Sequence, residues 1–164
     1  MNLKTLKPYL SGLLSSLLFG CVSSQSLQMH ELLNYRANTP QIVFMDFKIT
    51  KSGTDGEKVT LHNAILGTGE LRPMAVQPAT PVQIKAVLKG TTGQVLGEWL
   101  LEHPLYRQFE VMNQNGTPER RELDMKEGIA SLRFQQNELQ KNLELYRIDE
   151  NKKSTKIFNV LLKP

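Results

Sequence analysis

The chain has 164 residues, of which 40% are hydrophobic and 22% charged, with one cysteine and a formal net charge of +4. This length suits one domain with a sizeable core, and so small a charge gives no reason to expect nucleic acid as a partner. A single cysteine excludes a disulfide within the chain and a zinc site built from several thiolates.

The first twenty residues have the order of a signal peptide. Lys4 and Lys7 precede an apolar stretch over residues 9–19, and Gly20 and Cys21 follow it. Spanning a bilayer takes roughly 20 predominantly apolar residues, so this stretch is too short for a permanent transmembrane helix. We therefore expect residues 1–20 to form a signal helix that is removed from the mature protein.

The end of this stretch, Leu18-Phe19-Gly20-Cys21, resembles the lipobox of bacterial lipoproteins. The resemblance implies cleavage between Gly20 and Cys21 and a covalent lipid on the Cys21 thiol. Phe19 is larger than the alanine or serine that usually occupies its position. Because an aspartate after the cysteine tends to retain Gram-negative lipoproteins in the inner membrane, Val22 favours the outer membrane.

Residues 21–41 are predicted to form the lipidated cysteine and a tether. Ser26 could cap a short helix over residues 27–35, and Pro40 would end any helix before the first strand. The remainder, residues 42–164, is predicted to be a single domain.

Period-two hydrophobicity is the dominant signal in that domain. Val43, Met45, Phe47 and Ile49 alternate with polar residues from Asp46 onward, as a half-buried strand requires. In the next strand Val59, Leu61 and Ile65 are predicted to point inward. The predicted strands are 43–50, 58–66, 82–89, 95–102, 105–112, 129–135, 143–148 and 157–162.

Eight strands bounded by turns, with no helical segment long enough to cover a sheet, predict an all-β antiparallel sandwich. We favour an immunoglobulin-like sandwich, although the cysteine and tryptophan pattern of immunoglobulin domains is absent. A small β-barrel is the alternative. Residues 67–81, rich in Gly and Pro, are predicted to cross between sheets.

The sequence contains no catalytic or cofactor signature of high specificity. His30, His62 and His103 lack the close spacing of a metal site, so no metal is predicted. The glycines of 67–69 and 90–93 lack the remaining residues of nucleotide-binding loops, and we read them as turns without a cofactor.

Three other groups have a structural and a functional interpretation. The carboxylates Glu119, Glu122, Asp124 and Glu127 alternate with basic residues, which favours a solvated hairpin over an acid-base pair. Trp99 is interpreted as a core residue, with a ligand platform beside Gly97 as the rival. The last group comprises Lys152, Lys153, Lys156 and Lys163, for which a charged turn is preferred to a contact with anionic headgroups.

These observations predict a non-enzymatic, lipid-anchored protein of the bacterial cell envelope, in contact with the membrane through Cys21. Its sandwich would bind another envelope protein or act as an assembly accessory. The first alternative is a carrier of apolar ligands or lipids in a barrel. The second is a surface-anchored hydrolase with His62 or His103 as its base.

Overall fold

The structure is a computed structural model and describes residues 23–36, 38–53, 56–72 and 80–163. A 3₁₀ turn covers Met29–Glu31, and the other regular elements in these residues are strands. They are β1 (Ser23–Gln28), β2 (Gln41–Ser52), β3 (Gly56–Thr68), β4 (Gln83–Gly90), β5 (Val95–Glu102), β6 (Tyr106–Met112), β7 (Pro118–Asp124), β8 (Glu127–Gln135), β9 (Gln140–Ile148) and β10 (Ser154–Lys163).

The strands form a five-stranded sheet, a three-stranded sheet and a two-stranded hairpin. The orders are β1-β10-β9-β4-β5, β3-β2-β8 and β6-β7, and neighbours are antiparallel except for the parallel pair β1 and β10. The all-β sandwich prediction is confirmed. The barrel alternative is wrong for the described residues, because both larger sheets end in edge strands rather than closing on themselves.

The core lies between the two larger sheets. Phe47 of β2 and Phe158 of β10 meet edge to face with ring centroids 5.5 Å apart, which joins the sheets across the interior. Each fully buried side chain of this size contributes about 1.5–3 kcal/mol relative to exposure. The core residues on the inner faces include Val43, Met45, Ile49, Val59, Leu66, Ile84, Ala86, Leu88, Leu132, Phe134, Leu143, Leu145 and Val160.

One β-bulge changes which residues of β3 face the core. The β2–β3 register pairs Asp46 with Asn63 but Phe47 with Leu61, so His62 is an extra residue in β3. The extra residue reverses the alternation beyond it. Leu66 is therefore buried in place of the predicted Ile65, which is only partly buried, and that part of the inward assignment was wrong.

The predicted hairpin of β4 and β5 is confirmed: β5 has the predicted boundaries, and β4 begins and ends one residue later than predicted. Its turn is closed by a hydrogen bond from Gly90 N–H to the Gln94 carbonyl, and Gly93 adopts a φ of 83° that glycine accepts without strain. Because β3 and β4 belong to different sheets, the connection between them crosses the sandwich as expected. Residues 73–79 of that connection lie outside the described residues.

The segment before β2 differs from the predicted tether and its helix over 27–35. Residues 23–28 instead add a parallel strand to β10, and only the 3₁₀ turn over Met29–Glu31 is helical. Met29 is buried in the core. Pairing with β10 satisfies the backbone of this polar segment better than a short isolated helix, which is marginal in water.

Candidate functional site: the β5–β8 groove

The sandwich has an open side where the edge strand of each larger sheet lies beside the other. β5 ends the five-stranded sheet and β8 ends the three-stranded sheet, so each is bonded to a neighbouring strand on one side only. An edge strand presents backbone N–H and C=O groups that another chain can pair with. This side of the molecule therefore offers two places for strand addition.

A groove of about 450 Å³ runs between these edges. We call it the β5–β8 groove, and its lining residues are Leu100, Leu101, Glu102, Pro104, Arg107, Met125, Glu127, Gly128, Ile129, Ala130 and Ser131. A smaller depression of about 190 Å³ shares Leu101 and Ser131 with it and continues along β8 to Arg133. The two together form one open surface along the side of the sandwich.

Large apolar side chains stay exposed along the β5–β8 groove. Leu100 is 38% exposed, Met125 42% and Ile129 46%. Scattered exposed apolar residues need no explanation, but several that line one concave surface are typical of an interaction site. Burying them against a partner would add a hydrophobic contribution at this position.

Charged pairs border the same groove. Arg107 Nη2 lies 3.8 Å from Glu102 Oε2, and Lys48 Nζ lies 2.9 Å from Glu127 Oε2. Each pair has one side chain, Arg107 or Glu127, that is at least 60% exposed, so the pairs add little stability. An apolar strip with a charged border is the usual arrangement at protein–protein interfaces.

Gly128 of β8 lets the His103-Pro104 corner pack closely against that strand at the end of this groove. A Cβ atom on Gly128 would lie 2.7 Å from Pro104 Cβ, so any larger residue would push the His103-Pro104 corner outward. The corner is held on its other side by Leu105, which is fully buried. The shape of the groove is thus fixed by packing beneath it.

Trp99 lies on the inner face of β5 and contributes to the core. It is partly buried against the core cluster, with its ring centroid 6.0 Å from that of Phe134. A Cβ atom on Gly97 would lie 2.5 Å from Cη2 of the indole. The space beside Gly97, which the ligand-platform interpretation required, is therefore occupied by Trp99 itself, and the core interpretation is favoured.

His103 belongs to a buried polar cluster with Glu57 and Arg147. Leu105 N–H donates to His103 Nδ1 at 3.3 Å, so the ring proton is on Nε2, which lies 3.2 Å from Glu57 Oε2. Arg147 Nη1 approaches Glu57 Oε1 at 3.6 Å. Both ring nitrogens are engaged and the side chain is fully buried, which does not fit a base that must reach a substrate.

The other two histidines belong to different elements. His62 is exposed at the bulge of β3, and His30 lies in the 3₁₀ turn with Nε2 3.8 Å from Glu31 Oε1. The described residues contain no group of three or more His, Cys, Asp or Glu side chains that could hold a metal ion.

Three of the four predicted carboxylates, Glu119, Glu122 and Asp124, lie on the exposed β6–β7 hairpin, whereas Glu127 begins β8. Every residue of β7 is exposed; most of its charges pair within the hairpin, and Asp124 pairs with Lys51 of β2. Arg120 Nε lies 3.5 Å from Glu110 Oε1, and Gln108 donates to Glu122 Oε1 at 2.7 Å. This arrangement agrees with the predicted solvated hairpin, although the sequence did not predict β7 as a strand.

A second charged cluster lies on the outer face of the five-stranded sheet and was not found in the sequence. Glu144 is buried there beneath Lys89 at 2.7 Å, Lys156 at 2.6 Å and the hydroxyl of Tyr146 at 2.6 Å. Burial alone would raise the pKa of Glu144, but the hydrogen bonds from Lys156, Lys89 and Tyr146 outweigh it and hold the pKa at about 2. Burial, together with the hydrogen bond to Glu144, raises the pKa of Tyr146.

The four basic residues near the carboxyl terminus have different surroundings. Lys156 belongs to the Glu144 cluster, while Lys152 and Lys153 are exposed in the turn between β9 and β10. Lys163 pairs with Gln28 at the opposite end of β10. They are therefore not one patch, and only Lys152 and Lys153 share a location.

The predicted cleavage and lipidation residues, Gly20 and Cys21, lie outside the described residues, as does the signal segment. Within the described ranges, no helix is long and apolar enough to cross a membrane. Comparison with known proteins gives no match to a family model, to a curated protein or to a solved structure.

Proposed function

We propose that this chain is a lipoprotein of the bacterial cell envelope, cut before Cys21 and anchored through a lipid on that cysteine. The support is the order of basic residues, apolar stretch and lipobox-like tetrapeptide at the amino terminus. Val22 favours the outer membrane. The mature domain would be non-catalytic and would bind another envelope protein, as a binding or assembly-accessory module.

The observation that carries the binding role is the β5–β8 groove. Its two edge strands, β5 and β8, carry the exposed Leu100 and Ile129. A partner segment that pairs with one edge would gain backbone hydrogen bonds, and its alternate side chains would cover the apolar strip. An extended segment of the partner fits this surface better than a compact ligand does.

The lipid would increase the efficiency of such binding. Anchoring confines the domain to a layer near the membrane, which raises its effective concentration toward partners in the same layer. A modest affinity in the groove would then suffice. Removing the lipid should weaken function in the cell while leaving binding between purified proteins intact.

We propose further that the sandwich is immunoglobulin-like. Its support is the strand order: β9 lies between β4 and β10 in one sheet, and β2 pairs with β8 in the other. These correspond to strands C, F and G and to the B–E pair of immunoglobulin domains. In this comparison β3 is an added edge strand, and the β6–β7 hairpin is an insertion before strand E.

Site-specific photocrosslinking in intact envelopes tests the binding role. A photoreactive amino acid at Leu100 should give one discrete adduct with another envelope protein, and I129R in the same protein should reduce that adduct. The control position is Leu161, which is 44% exposed on β10 and far from the groove. Identical adducts from both positions, or none from position 100, would refute the role of the groove.

Mass spectrometry of the processed protein tests the anchor separately. The expected amino terminus is a lipid-modified Cys21, and C21S should prevent modification and release the chain from membranes. An unmodified Cys21 or a different amino terminus would refute the lipoprotein assignment.

A further inference from the structure

The first described residue lies halfway along the five-stranded sheet. In the β1–β10 register Ser23 pairs with Phe158, and Phe158 in turn pairs with Leu145 of β9. Only two peptide bonds separate Ser23 from Cys21, and two residues of chain span at most about 7 Å. A lipid on Cys21 would thus enter the membrane close to the middle of the β1 edge.

The β9–β10 hairpin extends beyond the Ser23–Phe158 pair, on the side from which the chain approaches Ser23. From Phe158 back to Ser154 there are four residues of strand, about 13 Å at the usual rise. The turn over 149–153 lies farther still. Along the strand direction the hairpin therefore reaches beyond Cys21 by at least about 6 Å, which is comparable to the thickness of a headgroup layer.

The tip of this hairpin carries two exposed lysines, Lys152 and Lys153. Of the two acidic residues in the turn, Asp149 directs Oδ1 inward to accept the Lys153 N–H at 2.9 Å, and Glu150 is exposed. Lys156, at the base, is held by Glu144. The outermost charges of the hairpin are thus those of the lysine pair and Glu150.

Lys152 also occupies a backbone conformation that favours glycine. Its φ is 63°, and its N–H donates to the Asp149 carbonyl at 2.9 Å, which closes the turn. A residue other than glycine, asparagine or aspartate is uncommon there. A lysine at this position has a conformational cost that glycine would not have. The turn does not require a lysine, so the lysine side chain needs a separate explanation.

We propose that the β9–β10 hairpin is a second membrane contact, in which Lys152 and Lys153 bind anionic lipid headgroups beside the acylated Cys21. This inference rests on the proposed lipid anchor. The short connection from Cys21 keeps the hairpin near the membrane, and the lysine pair supplies the complementary charge. One lipid attachment leaves the domain free to rotate, whereas the two contacts together would fix its orientation.

In that orientation the β1 edge and the β9–β10 hairpin face the lipid. The β5–β8 groove is then on the opposite edge of the sandwich, because β1 and β5 end the same five-stranded sheet. The second contact would therefore keep the groove turned away from the bilayer and open to a partner.

The test uses the full chain, expressed so that Cys21 is processed, and then reconstituted into vesicles of phosphatidylcholine with or without phosphatidylglycerol. With Cys21 capped by lipid, N151C introduces the only free thiol, and E138C does the same in the turn between β8 and β9 at the opposite end. An environment-sensitive fluorophore on each thiol is quenched with acrylamide, which is neutral.

We expect the probe at position 151 to be shielded from acrylamide in vesicles that contain phosphatidylglycerol, and the probe at 138 to stay accessible. Shielding should be lost at 1 M salt, where the Debye length is about 3 Å. It should also be lost with K152G and K153Q together. K152G suits the φ of this position, so the urea unfolding midpoint should not fall. The matched control is K141Q with K163Q, which should preserve the shielding.

Equal quenching at positions 151 and 138 on a lipidated protein would overturn the hairpin contact and leave the anchor standing. Shielding that survives the lysine substitutions would overturn the role of the lysines. If intact mass shows no lipid and two free thiols in N151C, the proposed anchor fails and the second contact fails with it.

Discussion

Glu57 and Glu144, two carboxylates that are buried in the described part of this sandwich, have different kinds of partner. Glu57 faces the interior between the sheets, where its side chain is 2% exposed and its contacts with His103 and Arg147 are 3.2 and 3.6 Å. Glu144 lies on an outer face, 7% exposed, and its two lysine contacts are 2.7 and 2.6 Å.

The difference follows from which hydrogen-bond donors can reach each carboxylate. On the outer face, flexible lysines extend over the sheet and bring charged donors to Glu144 while their heads stay partly in water. Between the sheets, the donors near Glu57 come from the corner that holds His103 and from Arg147 on β9, and among the described residues Oε1 of Glu57 has no hydrogen bond. The interior cluster is therefore the more sensitive to loss of one partner, because water cannot replace it.

The substitution H103L should produce the largest effect, because it removes the hydrogen-bond donor of a buried carboxylate. We expect the free energy of unfolding to fall by about 3 kcal/mol, because a buried carboxylate that loses its hydrogen-bond donor keeps an uncompensated desolvation cost. Urea unfolding at neutral pH measures the change. The control is H62L at the exposed bulge residue, and a similar loss in both variants would contradict the buried-cluster explanation.

The substitution E144Q should have an effect that depends on pH. The pKa of Glu144 in the folded protein is about 2, below its usual 4.5, so the charged form favours folding. Above about pH 4.5 the charged form makes its full contribution to the free energy of unfolding, and this contribution is lost as the pH falls toward 2. We expect the free energy of unfolding of the wild type to exceed that of E144Q by about 2 kcal/mol at neutral pH. This value allows for the screening of the lysines by solvent. Urea unfolding across pH 7 to 3 measures whether that difference shrinks; a constant difference would show that the charge is not responsible.

The substitution R120Q should have the smallest effect. Arg120 pairs with Glu110 on the exposed β6–β7 hairpin, with side chains 74% and 64% exposed. Such pairs contribute about 0.2–1 kcal/mol, so we expect a change in the free energy of unfolding below about 0.5 kcal/mol. A loss as large as that of H103L would mean that exposure is a poor guide to the importance of charged pairs in this protein.

Much of the fold could be predicted because eight strands carry a hydrophobic signal. Period two predicted the location of β2, the β4–β5 hairpin and the last three strands, since each has one face that is buried or, in β5, partly buried. The two missed strands lack this signal. β1 is a polar segment that forms a strand only through pairing with β10, and β7 has no buried residue at all. β1 and β7 form strands because of tertiary contacts and hairpin register, not because of a local hydrophobic pattern.

The inner polar cluster was missed for a different reason. Glu57 is in phase with Val59 and Leu61 on β3, and Arg147 is in phase with Leu145 on β9. A charged residue at an apolar position of a strand is a usable signal, but it does not reveal its partner. His103 comes from a corner distant in sequence from both, so the combination could be found only in three dimensions. The groove is likewise formed by β5 and β8, which are not adjacent in the chain.

The parallel pairing of β1 with β10 also has a mechanical consequence. The chain enters at Ser23, and six residue pairs in register connect β1 to the final strand. A pull on the amino terminus along the strand axis would load this ladder in shear, so that its hydrogen bonds share the force instead of breaking one after another. If the domain is held by its amino terminus while a partner pulls on the opposite edge, β1 is thus arranged to bear the tension, although its sequence lacks the hydrophobic strand signal.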